Sequence, residues 1–474
     1  MTTPTTKPSE SILVFSDVHL GSDLNDAGPH VPRSASVDRD LAAMLAHYRR
    51  VKPPADRWRI VIAGDFIDFV GMSVDAKDDE ALTTELTAEE RRNGVGSAED
   101  HARLKLQRVA RRHAEVFEEL GKLVGDGHTL TVLHGNHDIE LHWDGLKQDF
   151  REIVAAAVPD SERPRAHERI DFEPWFFHRE NVVYIEHGHQ YDPFCSTAFI
   201  LAPVSPRDPR RVERSYSDSL LRAIVRRTPG LKEHGHENRG LASYVGWAFT
   251  LGWRGMIGLW VRFFAVVFEL LKTQRAYVAE SGRAMQVAHD RRVAEHAVQK
   301  ALDEGRVRAL LTLHARPNLS TFRGVLAGVM LDRLATAVLV VVALLAIALL
   351  VRLGPLAGYG WPAVGAVFVM WVALHVFFSR GRGSVSPADV MIDRAAHIAK
   401  LFGAPIVVMG HTHVPFTADA GGAKYVNVGS WAEADDPTST YRAARTHLVI
   451  HERDGKAEAQ LFAWHAGEGP RPHV

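Results

Sequence analysis

Cysteine is almost missing from this sequence. Its 474 residues include one cysteine, Cys195, so no disulfide can form within the chain. Disulfide-stapled secreted folds are therefore excluded. Residues 1–10 are polar and lack the charged segment and following apolar segment that define a signal peptide. Nothing in the sequence indicates an oxidising compartment.

Net charge is also nearly missing, at −1, but this balance hides a division. Residues 194–387 contain 25 Lys and Arg against 12 Asp and Glu, an excess of +13, while the rest of the chain carries −14. A chain of this length is long for one domain, so we expect either two domains or one domain with a large insertion. The charge asymmetry predicts that the two parts face different partners.

Five short apolar runs are each followed by a turn that carries Asp, Asn or His. The runs are residues 12–15, 59–63, 129–133, 182–185 and 405–409. Helical spacing of apolar residues lies between several of them, in residues 38–50, 98–124 and 387–402. Polar residues at the ends of apolar strands, alternating with helices, predict a layered α/β domain with its site at the carboxyl ends of the strands.

Residues 194–387 do not follow this pattern. Residues 334–351 carry no charge, and after Arg352 the chain stays uncharged over residues 353–379. The first run is just long enough to cross a bilayer and the second is longer than necessary. We predict a transmembrane hairpin of two helices, 334–351 and 357–379, with a pair of buried core helices as the alternative.

Basic residues flank this predicted hairpin on both outer sides. Arg316, Arg323 and Arg333 precede it and Arg380 and Arg382 follow it. The positive-inside rule then places both ends, and with them the α/β domain, in the cytoplasm. The sequence predicts a multi-pass protein of the cell membrane.

Two further segments of the insertion have unusual composition. Residues 241–272 are apolar and rich in tryptophan, with their polar residues on one narrow helical stripe. This pattern fits a helix in the membrane interface, and equally a helix that packs on the domain or spans beside the hairpin. Residues 206–239 are strongly basic. They form either a solvated face or a surface attracted to anionic headgroups.

Imidazole, carboxylate and amide side chains at the five turns are suited to Mn, Fe, Zn or a similar divalent ion. Seven are candidate metal ligands, which is too many for one ion and appropriate for two. They are Asp17, His19, Asp65, Asn136, His187, His411 and His413.

The motifs together resemble the calcineurin-like metallophosphoesterase family. They are Asp17-x-His19, Gly64-Asp65-x-x-Asp68, Gly135-Asn136-His137-Asp138, His187 and Gly410-His411-x-His413. The resemblance covers residues 1–193 and 388–474 and leaves 194–387 as a helical, membrane-embedded insertion. It implies a four-layer α/β/β/α sandwich.

The resemblance also implies a role for each candidate residue. Asp17, His19 and His413 would bind one metal ion, Asn136, His187 and His411 the other, and Asp65 would bridge the two. Two ions about 3.5–4 Å apart clamp a phosphate and lower the pKa of a bridging water, and the resulting hydroxide attacks phosphorus. Manganese is the first expectation, with iron or zinc as alternatives.

Three more residues complete the predicted site. His137 would protonate the leaving oxygen or stabilise the phosphoryl charge. Asp68 would orient the imidazole of His137. His189 would contact the substrate or support a ligand, or it is a structural histidine.

A phosphoesterase held at the bilayer meets lipids at high local concentration. We therefore expect a membrane-associated enzyme acting on a lipid-linked or amphiphilic phosphate ester, with the bilayer as partner and no nucleic acid. A weaker similarity is to UDP-2,3-diacylglucosamine pyrophosphatases, which have Arg at the position of His137 and His-Gly-Asp at positions 187–189. The alternatives are a membrane-tethered phosphodiesterase or phosphatase for soluble nucleotides, and, last, a non-catalytic membrane scaffold.

Overall fold

A computed structural model describes residues 9–26, 35–77, 82–229, 250–329, 331–355, 358–379, 387–432, 445–453 and 455–473. Within these ranges twelve strands form two sheets. The strands are β1 (Glu10–Phe15), β2 (Arg57–Ala63), β3 (Thr129–Leu133), β4 (Ile170–Glu173), β5 (Phe176–Arg179), β6 (Val183–Glu186), β7 (Ile406–Met409), β8 (Phe416–Ala420), β9 (Ala423–Asn427), β10 (Thr446–Arg453), β11 (Lys456–His465) and β12 (Gly469–Pro472).

The seven-stranded sheet has the order β12-β11-β10-β1-β2-β3-β4, and the five-stranded sheet has the order β5-β6-β7-β9-β8. Strands β1 to β4 run parallel, as do β6, β7 and β9. Because parallel strands end at the same edge of a sheet, the polar turns after β1, β2 and β3 are neighbours. The turns after β6 and β7 are neighbours for the same reason.

Fourteen helices accompany the sheets in the described ranges. They are α1 (Ala35–Arg50), α2 (Glu90–Asn93), α3 (Glu99–Arg112), α4 (Ala114–Gly125), α5 (Asp144–Ala155), α6 (Arg163–Glu168), α7 (Tyr216–Ala223), α8 (Gly252–Val278), α9 (Glu280–Gln299), α10 (Glu304–Leu311), α11 (Phe322–Gly328), α12 (Leu331–Arg352), α13 (Gly360–Ser379) and α14 (Pro387–Phe402). The mixed α/β class predicted from the alternating pattern is confirmed.

Strand β1 shows how the core is arranged. Its residues are all buried, and successive side chains point to opposite faces of the sheet. Leu13 and Phe15 pack in a cluster with apolar residues of α1, α3, α4 and α5. Ile12 and Val14 pack in a second cluster with residues of both sheets, including Val408 of β7. A continuous apolar run is what a parallel strand buried on both faces requires.

The five-stranded sheet is covered by helices from two parts of the sequence. Its outer cluster contains Met391 and Ile398 of α14, and also Val293 of α9 and Val307 of α10. Helices α9 and α10 belong to the predicted insertion 194–387. The insertion therefore contributes to the packing of the α/β domain.

The helical pattern of residues 98–124 forms two helices rather than one. The break lies at His113, whose backbone leaves the helical conformation at the end of α3. Its buried Nδ1 lies 2.7 Å from Asp38 Oδ2, and its Nε2 accepts a hydrogen bond from the Gly21 N–H at 3.0 Å. These contacts fix the imidazole between α1 and the turn after β1. Because His113 is held there, the chain bends at this residue instead of continuing as one helix.

Among the described residues, two helices are long and apolar enough to cross a membrane. They are Leu331–Arg352 and Gly360–Phe377, and none of their apolar stretch is buried in the described structure. They pack against each other and correspond to the predicted hairpin. The flanking residues Arg380 and Arg382 lie outside the described residues.

Helix α8 corresponds to the tryptophan-rich segment, of which residues 241–249 lie outside the described residues. Val266 and Leu270 pack with Tyr216 of α7 and Val325 of α11. Other apolar side chains of α8 are exposed and recur at helical spacing on one face. They are Trp253, Ile257, Trp260, Val261, Phe264 and Phe268.

A buried acid in the segment before α7 contacts helix α8. Glu213 is fully buried next to Tyr277, and burial raises the pKa of its carboxyl from 4.5 to about 7. Because the pKa is higher in the folded state, the protonated carboxyl stabilises the fold most at low pH, and this contribution is lost as the pH rises towards 7.

We expect the Glu213→Gln variant to lose less stability than the wild type when the pH rises from about 5 to about 8, by roughly 1–3 kcal/mol. The free energy of unfolding in detergent, measured at both pH values, checks this. The same pH dependence in both proteins would contradict it.

Candidate metal centre

The turns after five strands meet at one place, and backbone hydrogen bonds tie them together. The Val18 N–H donates to the Asp65 carbonyl at 2.9 Å, and the Gly410 N–H donates to the His187 carbonyl at 3.0 Å. The first bond joins the turns after β1 and β2, and the second joins the turns after β6 and β7. The candidate ligands are thus held by a rigid frame.

Five of the seven candidate ligands have backbone conformations that side chains rarely adopt. Their φ angles are positive, between 49° and 67°, in a region that few residues other than glycine occupy. These residues are Asp17, His19, Asp65, His411 and His413. Such strain persists only where the surrounding structure enforces it, and it clusters at functional sites.

Asp17, His19 and His413 form the first group of ligand atoms, which lie within 4.8 Å of one another. The Nε2 atom of His413 lies 3.0 Å from Asp17 Oδ1, and that of His19 lies 3.9 Å from the same oxygen. Asp17 and His19 are buried. The three residues predicted to share one ion are therefore brought together.

Asp65 lies between this group and a second one. Its Oδ2 atom is 3.7 Å from His19 Nε2 and 3.2 Å from His187 Nε2. His187 Nδ1 lies 2.9 Å from the Ala63 carbonyl oxygen and donates a hydrogen bond to it. This bond leaves Nε2 of His187 facing the carboxylate, in the orientation of a metal-ligating imidazole.

Asn136 and His411 are the remaining two candidate ligands. The buried Oδ1 atom of Asn136 accepts no hydrogen bond from any described residue, and an unpaired buried amide oxygen is costly. The ring of His411 lies 5.3 Å from that of His187, measured between centroids. Its Nε2 atom is 3.3 Å from Asp192 Oδ2. A cation bound by Asn136 Oδ1 would remove this cost.

The charges of the two candidate carboxylates fit the same chemistry. Burial alone would raise the pKa of Asp17, but the neighbouring His413 and His187 lower it to about 2. Burial likewise opposes ionisation of Asp65, and His187 and His137 hold its pKa well below 3.8. Two buried carboxylates, an amide oxygen and four imidazoles form a donor set suited to two borderline divalent ions.

His137 and Asp68 form a buried pair next to these ligands. Nδ1 of His137 lies 2.7 Å from Asp68 Oδ1, and the His137 N–H donates to Asp65 Oδ1 at 2.8 Å. Burial lowers the pKa of the imidazole, but the charges of Asp68 and Asp65 outweigh burial and raise this pKa well above 6.5. An imidazole that keeps its proton can donate it to a leaving oxygen.

His189 is also near the centre, with its ring 5.3 Å from that of His187. It is buried, and burial holds its pKa well below 6.5. Its Nε2 atom lies 2.9 Å from the side-chain nitrogen of Gln190. His189 is therefore a neutral imidazole that lies beside His187.

Gly64 makes room for one of these imidazoles. Its φ angle is +87°, and a Cβ atom at this position would lie 2.6 Å from His187 Nδ1. The Gly-Asp motif thus combines the backbone that carries Asp65 with the space that His187 requires.

Three further residues, to which the sequence analysis assigned no role, lie close to the centre. Asp138 accepts hydrogen bonds from the Gly135 N–H at 2.6 Å and the Phe66 N–H at 2.8 Å. Asp192 contacts His411, as described above. Arg226, from the predicted insertion, contacts Asp68 Oδ2 at 3.1 Å. Asp138 stands inside a motif that marked it, whereas no sequence pattern marked the other two.

Comparison with known families identifies the domain. A sequence model of the calcineurin-like phosphoesterases matches residues 10–257, just over half of the chain. The match ends before His411 and His413, which the fold brings to the same centre. No curated protein matches the sequence. The chain belongs to the calcineurin-like phosphoesterase family, whose members are metal-dependent phosphoesterases that typically bind two divalent ions.

Proposed function

We propose that this chain is a membrane-associated, dinuclear-metal phosphoesterase that hydrolyses a lipid-linked or amphiphilic phosphate ester. The observation that carries the hydrolytic part is the position of Asp65, whose Oδ2 faces His19 on one side and His187 on the other. The membrane part rests on α12 and α13, which are apolar and exposed.

The division of ligands follows the two groups around Asp65. Asp17, His19 and His413 would hold one ion, Asn136, His187 and His411 would hold the other, and Asp65 lies between the two groups. When bound, two such ions clamp a phosphate and lower the pKa of a water molecule between them. Manganese, iron and zinc all suit this donor set, and manganese is our first expectation.

His137 and Asp68 serve the leaving group. Asp68 Oδ1 accepts the hydrogen bond of His137 Nδ1, which turns Nε2 away from the carboxylate. The raised pKa of His137 keeps a proton available for the departing oxygen. The backbone N–H of His137 donates a hydrogen bond to Asp65 Oδ1. This bond fixes the position of His137 relative to the candidate ligands.

The packing supports a four-layer α/β/β/α sandwich formed by residues 1–193 and 388–474. One apolar cluster joins the two sheets, and one further cluster on each outer face joins a sheet to helices. Residues 194–387 are the insertion. Two of its helices, α9 and α10, cover the outer face of the five-stranded sheet.

The insertion attaches the enzyme to the bilayer, with the catalytic domain in the cytoplasm. Helices α12 and α13 cross the membrane as a hairpin, because burying their apolar surface in lipid removes it from water. The exposed apolar face of α8 lies in the interface, since its other face already packs on α7 and α11. A substrate with a lipid anchor then meets the centre at high local concentration.

A substrate panel tests this proposal. The full chain, in mixed micelles with manganese, is assayed for phosphate release from lipid phosphates, lipid-linked pyrophosphates, and cyclic and linear nucleotides. We expect kcat/KM for an amphiphilic ester to exceed that for every soluble ester by at least about tenfold, the gain that effective concentration readily supplies. We expect chelation of the metal to abolish hydrolysis of both the amphiphilic and the soluble esters.

Turnover of nucleotides without turnover of any lipid would contradict the lipid substrate and favour the tethered phosphodiesterase. Purified protein without bound metal and without turnover of any ester would favour the scaffold instead. Short-chain analogues of the same lipids, assayed below the concentration at which they form micelles, are the control. They separate recognition of the headgroup from the effect of the lipid surface.

A further inference from the structure

Arg226 is a buried cation that the insertion places against the catalytic domain. It lies in the short turn Val225–Arg227 that follows α7, and only 4% of its surface is exposed. We infer that Arg226 is a positioning residue, which holds Asp68 so that His137 keeps the orientation of a proton donor. The inference rests on the proposed function, because it assigns an effect on leaving-group protonation.

The contacts of Asp68 divide between its two oxygens. Oδ1 accepts hydrogen bonds from His137 Nδ1 at 2.7 Å and from the Gly71 N–H at 2.6 Å. Oδ2 accepts a hydrogen bond from Nη2 of Arg226 at 3.1 Å. The carboxylate is thus fixed in rotation, since each oxygen has its own donor. A carboxylate fixed in this way fixes the imidazole bound to it.

The guanidinium of Arg226 is itself anchored at a second point. Its Nη1 donates to the Ser22 carbonyl at 2.7 Å, in the turn region after β1. A planar guanidinium with two fixed nitrogens has little freedom to move, which distinguishes arginine from lysine here. Arg226 contacts the side of Asp68 away from His137. It therefore acts on the reaction through Asp68 rather than by touching substrate.

The segment that carries Arg226 is held from both sides. Arg222 of α7 donates to Glu89 Oε1 at 2.9 Å and to the Val95 carbonyl at 3.0 Å, both in the catalytic domain. On the other side, Nη2 of Arg262 in α8 donates to Thr228 Oγ1 at 3.1 Å. A continuous set of contacts leads from α8, whose apolar face is exposed, to the Asp68–His137 pair.

The test uses the full chain with metal and a series of phosphate monoesters whose leaving groups rise in pKa from p-nitrophenol to phenol to an alkyl alcohol. We expect Arg226→Gln to lower kcat about 10- to 100-fold for the alkyl ester, the usual effect of losing a supporting partner. The expected loss for the p-nitrophenyl ester is less than about threefold, because this leaving group departs without a proton. KM changes little, and Arg226→Lys is intermediate.

Arg211→Gln is the matched control. Arg211 is also buried, with 8% of its surface exposed, and belongs to the insertion, but its carboxylate partners are Glu90 and Asp208 rather than Asp68. Its loss lowers stability without making kcat more sensitive to the leaving group.

A second readout does not depend on activity. In protein labelled with ¹⁵N-histidine and loaded with diamagnetic zinc, the His137 ring resonances are assigned by their disappearance in His137→Asn. We expect Arg226→Gln to shift or broaden them and Arg211→Gln to leave them in place. A loss of kcat equal for all esters, with unchanged His137 resonances, overturns the inference and leaves the phosphoesterase intact. A wild type that hydrolyses no ester overturns the proposed function, while the resonances still decide whether Arg226 holds the pair.

Discussion

Replacing Asp65 with alanine is expected to reduce kcat by at least about 1,000-fold on any substrate that the wild type hydrolyses. Loss of one preorganised charge-stabilising group alone costs about 100- to 1,000-fold, and Asp65 is placed to serve both ligand groups. The variant also loses the carboxylate oxygen that accepts a hydrogen bond from the backbone N–H of His137. We expect its content of bound metal to fall from two ions per chain to one or fewer.

Phosphate release and elemental analysis of the purified variant check this prediction. Asp65→Asn tests it more strictly, because it keeps the size of the side chain and removes the charge. Asp160→Ala is the control, since its carboxylate is exposed and forms an ion pair with Arg163 rather than with a residue of the centre. An Asp65→Asn variant with more than about a tenth of the wild-type kcat would contradict a bridging role.

Replacing His137 with glutamine is expected to lower kcat about 100- to 10,000-fold for esters with poor leaving groups, the usual range for a general acid. The loss for a p-nitrophenyl ester should be much smaller, and the content of bound metal should not change. The physical reason is that His137 pairs with Asp68 and keeps its proton, while its ring is absent from the predicted ligand set.

Kinetics on the same ester series, together with metal analysis, test this role. His465→Gln, at the exposed end of β11, is the control. An equal loss for every ester would mean that His137 stabilises the phosphoryl charge instead of protonating the leaving oxygen. Loss of a metal ion would mean that it is a ligand.

The strands that carry the centre could be predicted because their sequence is simple. β1, β2, β3, β6 and β7 are apolar runs followed by polar turns, and their parallel arrangement gathers those turns at one end. The runs do not show which strands share a sheet. Edge strands such as β8 and β12 carry too few apolar residues to be recognised, since half of their surface faces solvent.

The contributions of the insertion could not be predicted in the same way. Arg226 is 158 residues from Asp68 in sequence, and its basic neighbours resemble an ordinary solvated face. Asp192 follows β6 without a motif of its own. The bend at His113 depends on contacts of its imidazole with Asp38 and Gly21, which local helical spacing cannot reveal.

Most of the candidate ligands share a strained backbone conformation. Five candidate ligands have positive φ angles, which only a surrounding frame can maintain. A frame that stores such strain around buried carboxylates is expected to be most stable with its cations bound, because ligands that bind only the folded state stabilise it.

Metal titration of the activity tests the central claim most directly. The protein is stripped of metal with a chelator, and phosphate release is then measured while manganese is added and bound ions are counted. We predict that activity is absent without metal and reaches its maximum at two bound ions per chain, and that Asp65→Ala does not recover. Full phosphate release by the metal-free protein, or a maximum at one bound ion, would contradict a dinuclear centre.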